Sequence, residues 1–207
     1  SVKPDWGLLR PQAKYAGLVF FVSLVTMVQF TIDVLVVKYL FTPEIAGQYA
    51  GIATISRIIL FLTGSFAVVL LSSVAIDNTP KANSQMLIKS LWITLALGGS
   101  ATLLFVLFPL QVVHVLFGSK YDDLVYLLPL LSAAIFMMSL ANLVSSYHMA
   151  LRHYAVMWYV GLGALAVAGA LILHHDTPDQ VVQSVAFGSA VMMVGLFGWT
   201  GWRAMQG

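Results

Sequence analysis

The residues from Tyr15 to Leu40 read YAGLVFFVSLVTMVQFTIDVLVVKYL. This stretch is apolar over more than the ~20 residues that a helix needs to cross the hydrocarbon core of a bilayer. Five further stretches are comparable in length and composition: Ile45–Ile76, Met86–Phe108, Leu124–Leu151, Tyr154–Leu173 and Val181–Trp202. The sequence therefore predicts an all-α, polytopic membrane protein, with a bundle of six transmembrane helices over residues 15–203.

The composition agrees with a lipid bilayer as the main surrounding of the chain. Hydrophobic residues make up 60% and charged residues only 9%, against ~25% charged residues in an average soluble domain. The chain has no cysteine, which excludes disulfides and thiolate ligands or nucleophiles. The formal net charge of +2 is small and forms no basic stripe, so nucleic acid is not expected as a partner.

Basic residues are distributed unevenly among the segments that connect the six stretches. When the connections are numbered alternately from the N-terminus, two basic residues, Lys38 and Lys120, fall on one side. Seven fall on the other: Lys3, Arg10, Lys14, Lys81, Lys89, Arg152 and Arg203. Because Lys and Arg accumulate in cytoplasmic connections, this distribution predicts that both termini are cytoplasmic. Residues 1–14 are then a polar, cytoplasmic lead-in.

The connections are short, and none can hold an extramembrane catalytic domain. The longest contains Leu110–Phe117, which is too short to span and has apolar residues near one face, as in a helix that lies at the membrane interface. We expect Gly118 to end that helix. Pro129 falls inside the fourth predicted span, where a missing backbone donor predicts a kink.

Small residues indicate which helix faces pack closely. Glycines recur in the third, fifth and sixth stretches, at positions 98, 99, 161, 163, 169, 188, 195 and 198. In a bilayer, small residues let two helix backbones approach each other. We expect tight helix packing at these positions, with a sliding contact between helices as the alternative.

Two charged residues lie at depths where charge is costly. Asp33 is seven residues before Leu40, and Arg57 is twelve residues after Ile45; at ~1.5 Å per residue these are depths of about 10 and 18 Å. A charge there costs on the order of 2.5–3.5 kcal/mol unless it pairs or faces a wet cavity. Two interpretations stay open: an ion pair that locks the first two helices together, or a polar cavity for an anionic headgroup. Gln29, one turn before Asp33, adds to the same polar face.

Signatures of enzymes and metal sites are weak in this sequence. His148 and His153 are five residues apart, which does not match the i, i+4 spacing of a helical metal pair. His174 and His175 belong to a short loop. Asp122-Asp123 directly precedes the fourth span, where acidic residues favour the start of a helix, so capping is the preferred explanation. No catalytic residue, metal site or cofactor is predicted.

Three runs of sequence resemble a known family. Asp33 is followed by VLVVKYLFTPEIA and then by Gly47-Gln-Tyr49-Ala-Gly-Ile-Ala, and VLF-Gly118-SKY is followed by LL-Pro129-LL. This order is similar to the D…G-x-Y-x-x-x-A hairpin, and to the F-G-x-x-Y turn with its following helix, of polysaccharide flippases. That family belongs to the multidrug/oligosaccharidyl-lipid/polysaccharide superfamily. A third run, Asn142-LVSSYHMAL-Arg152, is similar to the family's run from an Asn to a small residue and a basic one. The resemblance covers residues 10–155.

The resemblance implies a fold and a function. Family members have two six-helix lobes that rock about a central cavity and flip or export lipid-linked oligosaccharides or polysaccharide precursors across the bacterial inner membrane. The chain would be one lobe, the C-terminal one, and would need a second six-helix lobe as its partner. Its start at Ser1 rather than at Met fits that expectation. Arg57 and Asp33, with Gln29, would line the cavity, where Arg57 suits a diphosphate or an acidic sugar.

Other functions remain open at this stage. A cation-coupled multidrug antiporter would use Asp33 as its proton or sodium site. A small membrane glycosyltransferase or acyltransferase would use Asp122-Asp123 or His174-His175, and a membrane scaffold would transport nothing. The residues identify neither the glycan nor the coupling ion, and they do not decide whether Asp33 and Arg57 are structural.

Overall fold

The computed structural model describes residues 6–74 and 79–205. Of the residues that are described, 91% are helical and none is in a strand. In chain order the helices are α1 (Trp6–Leu40), α2 (Pro43–Ser73), α3 (Pro80–Leu107), α4 (Pro109–Phe117), a 3₁₀ segment (Ser119–Leu127), α5 (Leu128–Ala150), α6 (Val156–Leu173) and α7 (Pro178–Ala204).

Within the described ranges, six helical segments are long and apolar enough to cross a membrane: those of α1, α2, α3, α6 and α7, and the 3₁₀ segment together with α5. The segment containing α5 is the centre of the bundle, because 67% of its most apolar 18 residues are buried, against 17% for α3. Helices α2, α3 and α7 pack on α5, while α6 packs mainly on α7 and α1. The all-α, six-helix architecture of a multi-pass membrane protein is thereby confirmed.

Two helix starts differ most from the predicted bounds. Helix α1 begins at Trp6, so residues 6–14 of the predicted lead-in continue the first helix, while residues 1–5 lie outside the described part. Helix α3 begins at Pro80 rather than at Met86, because the Thr79 hydroxyl accepts the Ala82 backbone N–H (3.2 Å) and caps the helix. The predicted end of the second helix, at residue 76, falls in the undescribed gap.

The kink predicted at Pro129 is wrong. Residues Ser119–Leu127 form the 3₁₀ segment, and α5 begins only at Leu128, so Pro129 lies in the first turn of α5. The first N–H groups of a helix have no partner within it, and a proline there removes no hydrogen bond. Pro129 therefore marks the start of a helix and does not bend one.

The short helix predicted before Gly118 is confirmed as α4. Gly118 ends it with φ 75° and ψ −172°, a conformation that is essentially restricted to glycine. Val113 is fully buried, whereas Leu116 and Phe117 stay exposed. The chain therefore turns at Gly118 into the 3₁₀ segment, which leads into the central helix.

Close packing of small residues is confirmed between α6 and α7. A Cβ atom at Gly188 would lie 2.1 Å from Val167 Cγ2 and 2.9 Å from the Val167 backbone nitrogen, and one at Gly163 would lie 2.6 Å from Met192 Cβ. By contrast, a Cβ at Gly198 would have no neighbour within 4 Å. Only some of the glycines therefore allow a close contact between helix backbones.

Candidate functional site

The polar site begins on the inner face of α1. Helix α1 is buried at residues spaced three or four apart: Leu18, Val22, Thr26, Gln29, Asp33 and Val37. This is the spacing of one face of an α-helix. Asp33, at 3% exposure, is therefore directed into the bundle rather than toward lipid.

Asp33 is held by two donors from α2. Its Oδ1 accepts a hydrogen bond from Arg57 Nη2 at 2.9 Å, and its Oδ2 accepts one from the Tyr49 hydroxyl at 3.1 Å. Arg57 Nη2 also donates to the backbone carbonyl of Phe30. Both carboxylate oxygens are thus satisfied, and Asp33 and Arg57 form an ion pair, which was one of the two interpretations that the sequence left open.

Tyr49 was not predicted to belong to the site, although it is fully buried against Asp33. A signal was present in its spacing. Tyr49 and Arg57 are eight residues apart, about two turns of α-helix, so they share a face of α2. An aromatic hydroxyl on the same face as a buried arginine is a natural second donor to the acid opposite.

Arg57 retains binding capacity beyond its structural contacts. Its side chain is 23% exposed, and within residues 6–74 and 79–205 both of its hydrogen bonds use Nη2. A guanidinium has five N–H donors in a planar fork, so the Nε and Nη1 groups are available. The arrangement can present a cationic, planar donor surface at membrane depth.

Gln29 lies on the buried face as predicted but does not join this network. Its side chain is 3% exposed, and its amide nitrogen and oxygen have no hydrogen-bond partner among the described residues. It lines an apolar groove of about 270 Å³ between α1 and α6, shared with Val28 and Leu165. Gln29 is therefore next to the ion pair along the helix but not bonded to it.

Asp122 lies in the first turn of the 3₁₀ segment, as expected for an acidic helix start, but the side-chain cap expected of Asp122 and Asp123 is wrong. Asp122 Oδ1 lies 2.6 Å from His114 Nε2, and Asp123 Oδ2 accepts a hydrogen bond from Gln48 Nε2 at 2.9 Å. Neither the 3₁₀ segment nor α5 has a side-chain cap at its start. Because both residues belong to the 3₁₀ segment, their carboxylates bond to α4 and α2 instead.

His148 and His153 meet, although their spacing argued against a shared face. Helix α5 ends in a Schellman motif, in which the His153 N–H bonds to the His148 carbonyl and the Arg152 N–H to the Met149 carbonyl, both at 2.9 Å. Arg152 has φ 55°, the left-handed conformation of that motif. The turn folds His153 back onto His148, and their Nδ1 atoms are 3.1 Å apart.

The loop histidines and possible metal ligands form no comparable cluster. His175 Nδ1 lies 3.0 Å from the Leu171 carbonyl, which is a helix-end contact. Among the residues that the structure describes, no group of three or more His, Asp or Glu side chains is placed to hold a metal ion.

Comparisons of the chain with protein-family models, with curated proteins and with solved structures find no match.

Proposed function

We propose that the chain is one lobe of a transporter that flips or exports a lipid-linked oligosaccharide or polysaccharide precursor by alternating access. The observation that carries the proposal is Arg57, a permanent cation within a span that is still 23% exposed after pairing with Asp33. A guanidinium with free N–H groups binds phosphate in bidentate fashion. The resemblance of residues 10–155 to polysaccharide flippases supports the same class of substrate.

In this proposal Arg57 has two tasks at once. Its Nη2 group ties α1 to α2 through Asp33 and the Phe30 carbonyl, which fixes the direction of the guanidinium. Its Nε and Nη1 groups face the phosphate or acidic sugar of the substrate. Asp33 and Tyr49 then orient the arginine rather than contact the substrate.

A second six-helix lobe completes the proposed transporter, because one lobe does not enclose a central cavity. The proposed location is the bacterial inner membrane, with both termini in the cytoplasm. The substrate would reach Arg57 between the two lobes, and rocking of the lobes would expose the site to each side in turn.

The experiment measures export of lipid-linked glycan in cells that carry the complete two-lobed protein, scaled to its membrane abundance. Arg57→Ala should abolish export, and Arg57→Lys should impair it, because an ammonium does not reproduce a bidentate contact with phosphate. The double variant Arg57→Ala/Asp33→Ala removes both charges and should restore insertion but not export.

The matched control is Lys89→Ala, which removes one exposed positive charge of α3. It should leave export unchanged. Normal export by a well-inserted Arg57→Ala/Asp33→Ala variant would show that Arg57 only neutralises Asp33. It would remove the arginine from the substrate site.

A further inference from the structure

We propose that His148 and His153 form a proton-sensitive latch that ties the turn between α5 and α6 to α7. The latch consists of these two rings with Thr200 and Arg203 of α7. It lies at the opposite end of the bundle from Asp122 and Asp123, and no part of it touches the ion pair of α1 and α2. The proposal does not depend on the transport function.

The latch is a continuous chain of hydrogen bonds. Arg203 Nη1 lies 3.0 Å from His153 Nε2, the Nδ1 atoms of the two rings are 3.1 Å apart, and His148 Nε2 lies 2.8 Å from Thr200 Oγ1. The Thr200 hydroxyl in turn donates to the Leu196 carbonyl at 2.7 Å. These hydrogen bonds lead from the exposed guanidinium of Arg203 to the Leu196 carbonyl in the backbone of α7.

The groups at the two ends of this series of hydrogen bonds determine which ring nitrogens of His148 and His153 carry a proton. Because Thr200 donates its only hydroxyl proton to Leu196, it must accept from His148, which places a proton on His148 Nε2. Because Arg203 can only donate, His153 Nε2 must accept, which places the His153 proton on Nδ1. His153 Nδ1–H therefore donates to the bare Nδ1 of His148. Both rings must be neutral for all these bonds to form.

Protonation of either ring breaks the chain. A proton added to His148 Nδ1 sets two N–H donors against each other at 3.1 Å, and one added to His153 Nε2 faces the N–H of Arg203. Either event also places a new positive charge near a guanidinium. The turn should then separate from α7.

The described surroundings of the two rings are aromatic or cationic rather than acidic. On α5 the Tyr147 ring packs edge-on against His148, on α7 Trp199 packs against both histidines, and on α6 Tyr159 stacks on Trp199. In the turn, Arg152 stacks on Tyr15 of α1. Among residues 6–74 and 79–205, neither ring has an acidic partner.

The direction of the pH response follows from His153, which lies between the spans. Burial, and secondly the charge of Arg203, hold the pKa of His153 below its usual value of 6.5. The unfolded or detached turn binds protons more readily than the latched one, so the contact is intact at neutral pH. It is lost as the pH falls below 6.5 and through the lowered pKa of His153.

The absence of native cysteine allows a site-specific test. A spin label on Tyr154→Cys, a 43% exposed position in the turn, reports the motion of the turn in the full chain reconstituted in nanodiscs. Its mobility should rise between about pH 8 and about pH 5, the range in which histidine changes charge. The midpoint should lie below 6.5.

Two controls make the test specific. In His148→Gln/His153→Gln the label should show no pH response, and in His175→Gln, at the other end of α6, the response should persist. A constant mobility in the unsubstituted background, or an equal response in the double glutamine variant, would overturn the proposal. A response that follows added Zn²⁺ and is reversed by a chelator would also overturn it in favour of a metal site.

A second measurement does not depend on any substitution at the latch. Nitrogen-15 NMR of the histidine-labelled full chain at pH 8, the upper end of the range above, should show His148 protonated at Nε2 and His153 at Nδ1. The signals of His153 should change with the same pH midpoint as the label. Opposite tautomers, or a His153 ring that stays neutral throughout the range, would contradict the latch.

Discussion

At the scale of single residues, the site shows how a charge pair is stabilised inside a span. An ion pair removed from water stabilises a fold only when further hydrogen bonds satisfy its remaining lone pairs and protons. Tyr49 supplies that bond to Asp33 Oδ2, and the Phe30 carbonyl takes the second proton of Arg57 Nη2. The stability of the α1–α2 hairpin should therefore depend on Tyr49 as well as on the two charges.

The substitution Tyr49→Phe tests this dependence. It keeps the ring but leaves Asp33 Oδ2 without a donor, and a hydrogen bond to a charged group contributes about 1.5–3 kcal/mol. We expect the free energy of unfolding, measured by titration with a denaturing detergent, to fall by about that amount. Tyr39→Phe, at an 88% exposed tyrosine of the same hairpin, should change it by less than about 0.5 kcal/mol. Equal effects of the two substitutions would contradict the role of Tyr49.

The candidate site was only partly predictable from the sequence. An Asp33–Arg57 ion pair was one of two interpretations in advance, because charges within apolar runs require a partner or a wet cavity. Tyr49 was missed because burying a tyrosine hydroxyl costs less free energy than burying a charge, so nothing in the sequence indicated a partner for it. His148 contacts His153 only because Arg152 adopts the left-handed backbone conformation. A glycine at that position would have predicted such a turn, whereas an arginine does not.

At the scale of helices, apolar length predicted the number of spans well and their ends less well. A run of more than ~20 apolar residues can hardly be anything but a span, so all six were found. The ends depend on caps and on the first-turn position of proline, as at Thr79 and Pro129. Caps and first-turn prolines depend on single residues, so the average hydropathy of a long stretch does not reveal them.

The packing of α6 on α7 yields a prediction at this scale. Gly188→Ala places a methyl group 2.1 Å from Val167 Cγ2 and 2.9 Å from a backbone nitrogen that cannot move aside. Overpacking of this kind typically costs about 1–3 kcal/mol. The measurement is again the free energy of unfolding in mixed micelles.

Gly198→Ala is the matched control on the same helix. An added Cβ there meets nothing within 4 Å, so the substitution should be neutral or stabilising by about 0.4–1 kcal/mol. A Gly188→Ala variant as stable as Gly198→Ala would mean that the two helices do not approach as closely as described.

At the scale of the whole molecule, side-chain contacts indicate which connections between helices lie at the same end of the bundle. At one end, Arg152 stacks on Tyr15 and His153 bonds to Arg203, which joins α1, the α5–α6 turn and the end of α7. At the other, Gln48 bonds to Asp123. Tyr126 bonds there to Asp179 at 2.9 Å. The assignment of these connections to one end of the bundle or the other is therefore supported by side-chain contacts as well as by the alternation of spans.

The two ends differ sharply in charge, and this predicts the orientation. In the part of the chain that the structure describes, the first end has six basic residues: Arg10, Lys14, Lys81, Lys89, Arg152 and Arg203. The second has two, Lys38 and Lys120, beside five acids: Glu44, Asp122, Asp123, Asp176 and Asp179. Orientation follows the Lys and Arg counts of short connections, to which acids contribute little. The first end should face the cytoplasm.

Reporter fusions test the orientation. Reporters placed after Lys81 or Arg203 should be active only as cytoplasmic enzymes, and those placed after Lys120 or Asp176 only as external ones. Single cysteines at the same positions provide an independent check with a membrane-impermeant thiol reagent, since the chain has no other thiol to react. A cytoplasmic signal at Lys120 together with an external one at Arg203 would mean that the bundle is inverted. A cytoplasmic signal at both would mean that the chain does not cross the membrane six times.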